Sequence, residues 1–164
     1  MGDSTRVSVS YKNLARELSE GDVVLVNNGL LSFKVLSTTD TDIICKVVSG
    51  GVISDRKSMS FPGKVMEQTY LSQQDVEDIA FGVREDVDYI ACSFVSRASD
   101  IIDVKNLLAS LGASGIGLIA KIENRAGVDN IEEICAECDG IMIGRGDMGV
   151  EIPFEEVPII QKKL

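Results

Sequence analysis

The sequence contains no histidine, and this absence limits the metal chemistry that its other residues can support. Cys135 and Cys138 have the spacing of a redox pair or of half a zinc site. A structural zinc site needs four ligands, however, and the chain has neither a second closely spaced cysteine pair nor a histidine. Cys45 and Cys92 lie in strand-like runs, where a thiol behaves as a small hydrophobic group. We therefore expect all four cysteines to be structural.

Basic residues and long apolar runs are also scarce. The chain has 16 Lys and Arg against 26 Asp and Glu, which gives a net charge of -10. Such a chain is repelled by a phosphate backbone or an anionic membrane, so we expect no nucleic acid and no membrane as partners. No apolar run approaches the roughly 18 residues of a membrane span, and residues 1–6 lack the apolar core of a signal peptide. These features predict a cytoplasmic protein.

The first third of the chain has a β pattern. Apolar and β-branched residues form strand-like runs at residues 7–11, 23–26, 30–35 and 43–48, with room for one helical turn within residues 13–19. Asn27-Asn28-Gly29 stands between two of these runs and indicates a hairpin, because these residues tolerate positive φ. We expect a small antiparallel module.

A change of pattern near residues 62–71 indicates a domain boundary. Phe61-Pro62-Gly63 interrupts the strands, and Ser72 with Asp75 then resembles a capping box that opens a helix ending at Gly82. The expected domains are residues 1–66, β-rich and incomplete at the N-terminus, and residues 67–164.

The second domain alternates strictly between strands and helices. Strands are predicted at residues 89–94, 118–123 and 141–144, and helices at 99–111, 128–137 and 155–163. This alternation predicts a parallel sheet with right-handed crossovers. Comparable strand-end positions recur at Ser93, Lys121 and Asp147, a spacing typical of β/α-barrel units. With three strands of the required eight, the predicted fold is α/β: a partial parallel β/α (TIM-type) barrel after an antiparallel β module.

The strand ends carry the residues that best support chemistry. Lys121 and Glu123 share one side of their strand because alternate residues face the same way. Asp147 follows the next strand, and two carboxylates directed at one point repel each other unless a cation or a proton lies between them. With oxygen ligands and no histidine, Mg²⁺ or Mn²⁺ fits best. The alternative is a salt bridge of Lys121 with Glu123 or Asp147.

Residues 144–149 match the glycine pattern of a dinucleotide-binding loop. Two features oppose that interpretation: Asp147 places a negative charge where pyrophosphate would bind, and Pro153 is expected to delay the next helix. The glycines are better explained as exposing backbone N–H groups, including that of Gly146, to an anionic substrate group.

Two further positions have open alternatives. Phe94, after Ser93 at the productive strand end, could form an aromatic wall for a small planar substrate or pack in the core. Arg56-Lys57 is a basic point in an acidic chain, suited to a nucleotide phosphate or simply to a solvated surface.

Two long motifs resemble the pyruvate kinase family. They are IAKIENRAGV at residues 119–128 and DGIMIGRGDMGVEIP at residues 139–153. Matching segments upstream at residues 93–95, 81–83, 61–63 and 11–14 extend the resemblance over nearly the whole chain. The family has a β/α barrel interrupted after its third strand by a β-rich lid domain. The resemblance implies that this chain is most of the lid followed by barrel strands four to six.

The resemblance also implies residue roles. Lys121 is the catalytic lysine, and Glu123 and Asp147 bind Mg²⁺. The backbone of Gly146 and Asp147 holds the substrate carboxylate. Ser93 and Phe94 line the substrate pocket, and Lys57 meets nucleotide phosphates.

The implied parent enzyme is a glycolytic homotetramer that transfers the phosphoryl group of phosphoenolpyruvate to ADP, giving pyruvate and ATP. Its K⁺ ligands, a substrate-phosphate arginine, five barrel strands and the regulatory domain lie outside this chain. Met1 resembles an internal start, so we expect the gene to continue on both sides. Asn27-Asn28 replaces two aspartates usual in the family, which affects any acidic role in binding the nucleotide's metal.

The sequence supports three interpretations of the chain. The first is a pyruvate kinase segment that is inactive by itself. The second is a metal-dependent aldolase or lyase acting on pyruvate-like substrates, since related barrels place a Glu and an Asp at adjacent strand ends. The third is a non-catalytic fragment that self-associates through its open sheet edges.

Overall fold

A computed structural model describes residues 2–64 and 66–164 of the chain. Met1, the expected internal start, and Val65, within the expected boundary region, lie outside the described residues. The chain divides into two compact units, Met1–Gln68 and Thr69–Leu164, which we call the N-terminal and C-terminal units. The division lies two residues from the expected limit at residue 66.

The N-terminal unit is a four-stranded antiparallel sheet with one short helix. The strands are ordered β3-β2-β1-β4, and each neighbouring pair is antiparallel. The elements are α1 (Leu14–Glu17), β1 (Val23–Val26), β2 (Leu31–Thr38), β3 (Ile43–Ser49) and β4 (Met59–Ser60).

The turn between β1 and β2 is the predicted hairpin. Asn27 and Asn28 have φ of 55° and 56°, and Gly29 follows at 79°. These left-handed conformations suit asparagine and glycine, so Val26 pairs directly with Leu31 and the register of the hairpin is set by its turn.

The strand predicted at residues 7–11 is wrong. Residues 7–9 form no regular element, and the side chains of Val7 and Val9 are exposed. Their alternating pattern is strand-like, but no strand pairs with this segment among the described residues, so its backbone gains no ladder hydrogen bonds. The buried core of the unit instead consists of Leu14, Leu18, Val24, Val26, Leu31 and Val35.

The C-terminal unit confirms the alternation of strands and helices. Its three strands are parallel in the order β5-β6-β7. The elements are α2 (Gln73–Arg84), β5 (Tyr89–Cys92), α3 (Ala98–Ser110), β6 (Gly117–Ile122), α4 (Arg125–Asp129), α5 (Ile131–Glu137), β7 (Gly140–Ile143), α6 (Arg145–Glu151) and α7 (Val157–Lys163).

The predicted start of α2 is confirmed and its predicted end is wrong. Ser72 and Asp75 form the expected capping box. The helix continues past Gly82 to Arg84, because Val83 packs against the core and extends the apolar face by one position. The left-handed residue that follows the helix is Asp86, with φ of 55°.

Helix α6 corrects the sequence-based interpretation of residues 144–149. We expected Pro153 to delay the next helix, whereas a helix begins directly after Gly144. Met148 is completely buried, and its burial in the core stabilises a helix that its glycines disfavour. The position of Pro153 therefore does not count against a dinucleotide loop, although the charge of Asp147 still does.

Burial alternates along β6. Leu118, Ala120 and Ile122 are almost completely buried, while Lys121 between them lies on the opposite face. The predicted shared side of Lys121 and Glu123 follows from this alternation. The strand thus anchors itself in the core by one face and presents its polar groups on the other.

All four cysteines are free thiols, of which Cys92 is buried and Cys135 is exposed. Burial raises the pKa of the Cys92 thiol to about 11, so it remains a neutral, apolar group. No helix in the described ranges is long and apolar enough to cross a membrane.

Candidate active site

The carboxyl ends of β5 and β6 bring three polar side chains together. The Lys121 ammonium lies 2.9 Å from a Glu123 carboxylate oxygen, Oε1, and donates a hydrogen bond of 2.9 Å to the Ser93 hydroxyl. Parallel strands place their carboxyl ends at the same edge of the sheet, which is why residues 28 positions apart meet here. The salt bridge considered for Lys121 is therefore present.

Glu123 is the more buried member of the ion pair. Its side chain is 3% exposed, against 25% for Lys121. Its second oxygen, Oε2, accepts a hydrogen bond of 2.9 Å from the backbone N–H of Phe94. Because each carboxylate oxygen can accept more than one partner, Glu123 keeps capacity for a further cation after both contacts are made.

Phe94 has an unusual backbone conformation. Its φ is 53°, in the left-handed region that bulky residues rarely adopt, at a cost of about 1–3 kcal/mol. The conformation directs its N–H at Glu123, and the side chain is 49% exposed. Phe94 does not belong to the core, so core packing is the wrong explanation for this residue.

Asparagine side chains hold the loop that follows Phe94. The amide of Asn124 donates to the Ser96 hydroxyl at 2.9 Å, and the amide of Asn130 donates to the Ser96 carbonyl at 2.8 Å. Asn124 also caps α4 through the N–H of Gly127. Neither asparagine was predicted from the sequence to support this loop. Asn124 could have been identified, because an asparagine directly after a predicted strand is a typical N-cap residue.

Tyr70 is a further residue that the sequence patterns did not indicate. Its hydroxyl donates a hydrogen bond of 2.7 Å to the Ser93 carbonyl. Burial raises the pKa of this hydroxyl well above its ordinary value, which keeps it protonated and able to donate. Tyr70 stands two residues before Ser72, the N-cap of α2, and nothing in that local pattern indicates a contact 23 residues away.

The first turn of α6 lies against Glu123. A Cβ atom on Gly144 would lie 2.5 Å from Glu123 Cγ, so only glycine permits this approach. Gly146 and Asp147 occupy the first turn of the helix, where N–H groups have no partner within the helix. Asp147 is half-buried, and the described chain gives its carboxylate no hydrogen bond or ion pair.

The available donors match the chemistry of a hard divalent cation. Glu123 and Asp147 offer carboxylate oxygens, which are the ligands that such a cation prefers. The Glu123 side chain is almost completely shielded from solvent. Across residues 2–64 and 66–164, no group of three or more His, Cys, Asp or Glu side chains is arranged to hold a metal. A magnesium ion bound by these two carboxylates would need its other ligands from water and substrate.

Lys57 lies in the N-terminal unit and is exposed. It follows Arg56, whose φ of 57° marks a tight turn. The adjacent Ser58 contacts the β1–β2 hairpin twice: its hydroxyl lies 3.1 Å from Asn28 Oδ1, and its carbonyl accepts the N–H of Asn27 at 3.0 Å. The basic turn and Asn27-Asn28 are therefore neighbours.

Comparison with known proteins identifies the family of the whole chain. The family described as "Pyruvate kinase, barrel domain" matches residues 1–164. Pyruvate kinase from Clostridium perfringens is 45% identical over 164 residues, which are 100% of this chain and 35% of that protein. Pyruvate kinase from Geobacillus stearothermophilus is 43% identical over 166 residues, covering 100% of this chain and 28% of the relative.

A solved structure gives the same result. The crystal structure of a pyruvate kinase from Cryptosporidium parvum superimposes with a TM-score of 0.86 at 37% sequence identity, covering 94% of this chain and 32% of that one. The chain thus spans about a third of the length of the relatives it matches. Nothing in these matches favours the aldolase alternative. On the family match over its full length and on these relatives, the chain belongs to the pyruvate kinase family.

Proposed function

We propose that the full-length protein containing this segment transfers the phosphoryl group of phosphoenolpyruvate to ADP, with Lys121 as its catalytic residue. The observation that carries the proposal is the placement of Lys121 between Ser93 and the buried Glu123 at the ends of two parallel strands. Phosphoryl transfer depends on positioning and on charge neutralisation, and a lysine held by two partners supplies both.

In this proposal the Lys121 ammonium neutralises negative charge on the transferring phosphoryl group and on the enolate that it leaves. Glu123 and Ser93 keep the ammonium directed at that position, because they accept its hydrogen bonds from two sides. A Mg²⁺ or Mn²⁺ ion held by Glu123 and Asp147 would neutralise further negative charge on the substrate. The family resemblance places the ligands of K⁺ outside this chain.

The substrate carboxylate would be held by backbone N–H groups. Those of Gly146 and Asp147 lie in the first turn of α6, which begins against Glu123. Peptide N–H groups at a helix start favour an anion. The half-exposed ring of Phe94, next to the Glu123 contact, would form one wall of the pocket.

We further propose that the N-terminal unit is the lid and the C-terminal unit is barrel strands four to six. The antiparallel sheet and the parallel β/α alternation support this assignment. Lys57 would then meet the phosphates of ADP on closure of the lid, which would also exclude water and limit hydrolysis. The cytoplasmic location and the homotetrameric state of the parent remain predictions.

The proposal is tested by incubating the full-length protein with phosphoenolpyruvate, ADP, Mg²⁺ and K⁺. We expect pyruvate, detected with lactate dehydrogenase, and ATP, detected with luciferase, in equal amounts. An aldolase or lyase would form no ATP, and formation of pyruvate without ATP would contradict the proposal.

We expect the 164-residue chain to be inactive by itself. Its parallel sheet has three strands, so most of the barrel that surrounds such a site is missing. The same coupled assay on the purified chain should give no turnover above background, and measurable turnover would overturn this expectation.

The isolated chain should instead associate with itself. β5 and β7 are the edges of the parallel sheet, and Tyr89 and Met142 on them are 64% and 47% exposed. Unpaired edges of this kind are templates for strand pairing. Light scattering that found only monomer over a wide concentration range would exclude this behaviour.

A further inference from the structure

Tyr70 precedes helix α2, yet its hydroxyl contacts the end of strand β5. We propose that Tyr70 is a positioning residue, whose hydrogen bond to the Ser93 carbonyl keeps the Ser93 hydroxyl at the Lys121 ammonium. The relevant contacts are 2.7 Å from Tyr70 to Ser93 and 2.9 Å from Lys121 to Ser93. This inference rests on the proposed role of Lys121.

The peptide unit between Ser93 and Phe94 is held at both ends. Its carbonyl oxygen accepts from Tyr70, and its N–H donates to Glu123 Oε2 at 2.9 Å. Because a peptide unit is planar, two contacts on opposite edges fix its orientation. Rotation of this plane would break both hydrogen bonds together.

The backbone conformation at this point favours rotation of the peptide plane. β5 ends at Cys92, which is also its last residue paired with β6, so Ser93 lies beyond the regular sheet. Phe94 is left-handed, with φ of 53°, and a rotated peptide plane would return it to a common conformation. The hydroxyl of Tyr70 opposes that relaxation.

Tyr70 is suited to act as a fixed point. Its ring is partly buried and packs against the hydrophobic core of the C-terminal unit. This packing is made by the ring and not by the hydroxyl. Removal of the hydroxyl alone should leave this packing intact.

Tyr70→Phe in the full-length protein tests the inference. We expect kcat for pyruvate and ATP formation to fall about fivefold to tenfold, as for loss of one well-oriented hydrogen bond. KM for ADP should stay within twofold of wild type, since nucleotide binding is assigned to other residues. Tyr89→Phe is the matched control: it removes a hydroxyl from the first residue of β5, at the opposite end of that strand from Ser93, and its kcat should be unchanged. A kcat of Tyr70→Phe within twofold of wild type would overturn the inference.

A double-mutant cycle separates positioning from general stability. In a Ser93→Ala background the hydroxyl that Tyr70 positions is absent, so Tyr70→Phe should change kcat by less than twofold. If Tyr70 only stabilised the fold, it would lower kcat by the same factor in both backgrounds, and the inference would be wrong.

A crystal structure of the full-length Tyr70→Phe variant tests the geometry without using activity. We expect a negative φ at Phe94 and more than 3.5 Å between Ser93 Oγ and Lys121 Nζ, the limit of a hydrogen bond. Unchanged geometry would refute the inference. A wild-type protein that makes no ATP would refute the proposed function, and the crystal structure would still decide whether Tyr70 positions Ser93.

Discussion

The two units present their proposed functional lysines in opposite ways. Lys121 in the C-terminal unit contacts Ser93 and Glu123, and that neighbourhood is held in turn by Tyr70. Lys57 in the N-terminal unit lies exposed directly after a turn, and its ammonium forms no hydrogen bond or ion pair with the described residues.

The difference fits the two tasks proposed for these lysines. A group that stabilises a transition state must be in place beforehand, since reorientation during the reaction costs free energy. A group that meets a flexible nucleotide tail can be ordered when the ligand arrives, at a cost in affinity. We therefore expect substitutions near Lys121 to lower kcat, and substitutions near Lys57 to raise KM.

The largest effect is expected for Lys121→Met in the full-length protein. Loss of the ammonium removes charge neutralisation at the transferring group, and kcat should fall by at least about 10²- to 10³-fold in the coupled assay. Lys105→Met is the control, because Lys105 also forms a 2.8 Å ion pair, with Glu137, on an exposed surface. Exposed pairs of this kind contribute little, so its kcat should be unchanged. An equal loss of kcat in the two variants would contradict a specific role of Lys121 in the reaction.

A smaller effect is expected for Gly144→Ala. The new Cβ would lie 2.5 Å from Glu123 Cγ, so Glu123 or the start of α6 must move. The free energy of unfolding should fall by about 1–3 kcal/mol in urea titration, and kcat at least about tenfold, because small displacements at such a site are costly.

Gly149→Ala is the matched control for Gly144→Ala. Gly149 lies in the same helix, and a Cβ there meets nothing within 4 Å. Alanine favours the helix, so this variant should be as stable as wild type or more so. If Gly149→Ala lowered the free energy of unfolding and Gly144→Ala did not, the predicted clash between a residue-144 Cβ and Glu123 would be contradicted.

The smallest effect is expected for Lys57→Gln. Loss of one exposed phosphate contact should raise KM for ADP about threefold to tenfold and leave kcat within twofold, since such a contact contributes about 1 kcal/mol. Lys46→Gln, on the exposed side of β3, is the control of equal charge change. The same KM in both variants would favour the solvated-surface interpretation of Lys57.

Sequence patterns predicted the parts of the fold that depend on local rules. The hairpin at Asn27 and Asn28, the capping box at Ser72 and the alternation of β5–β7 with helices all follow from residue preferences over a few positions. The shared side of Lys121 and Glu123 follows from the two-residue period of a strand. None of these features depends on contacts between residues that are distant in the sequence.

The errors have a common physical origin. Residues 7–11 alternate as a strand does, but a strand forms only where another strand supplies hydrogen bonds. Helix α6 contains glycines that local preference opposes, and the burial of Met148 outweighs that preference. In both cases the deciding free energy comes from contacts with residues far away in the sequence.

The sequence by itself determined the family, the alternation of elements and the residue types at the strand ends, because long motifs and short periods are properties of the chain alone. Only the tertiary structure decided that Glu123 is almost fully buried, that Phe94 takes a left-handed conformation, and that Tyr70 holds the Ser93 carbonyl. These features depend on side chains converging from separate segments. No local pattern encodes that convergence, since it appears only when β5, β6 and the segment before α2 pack together.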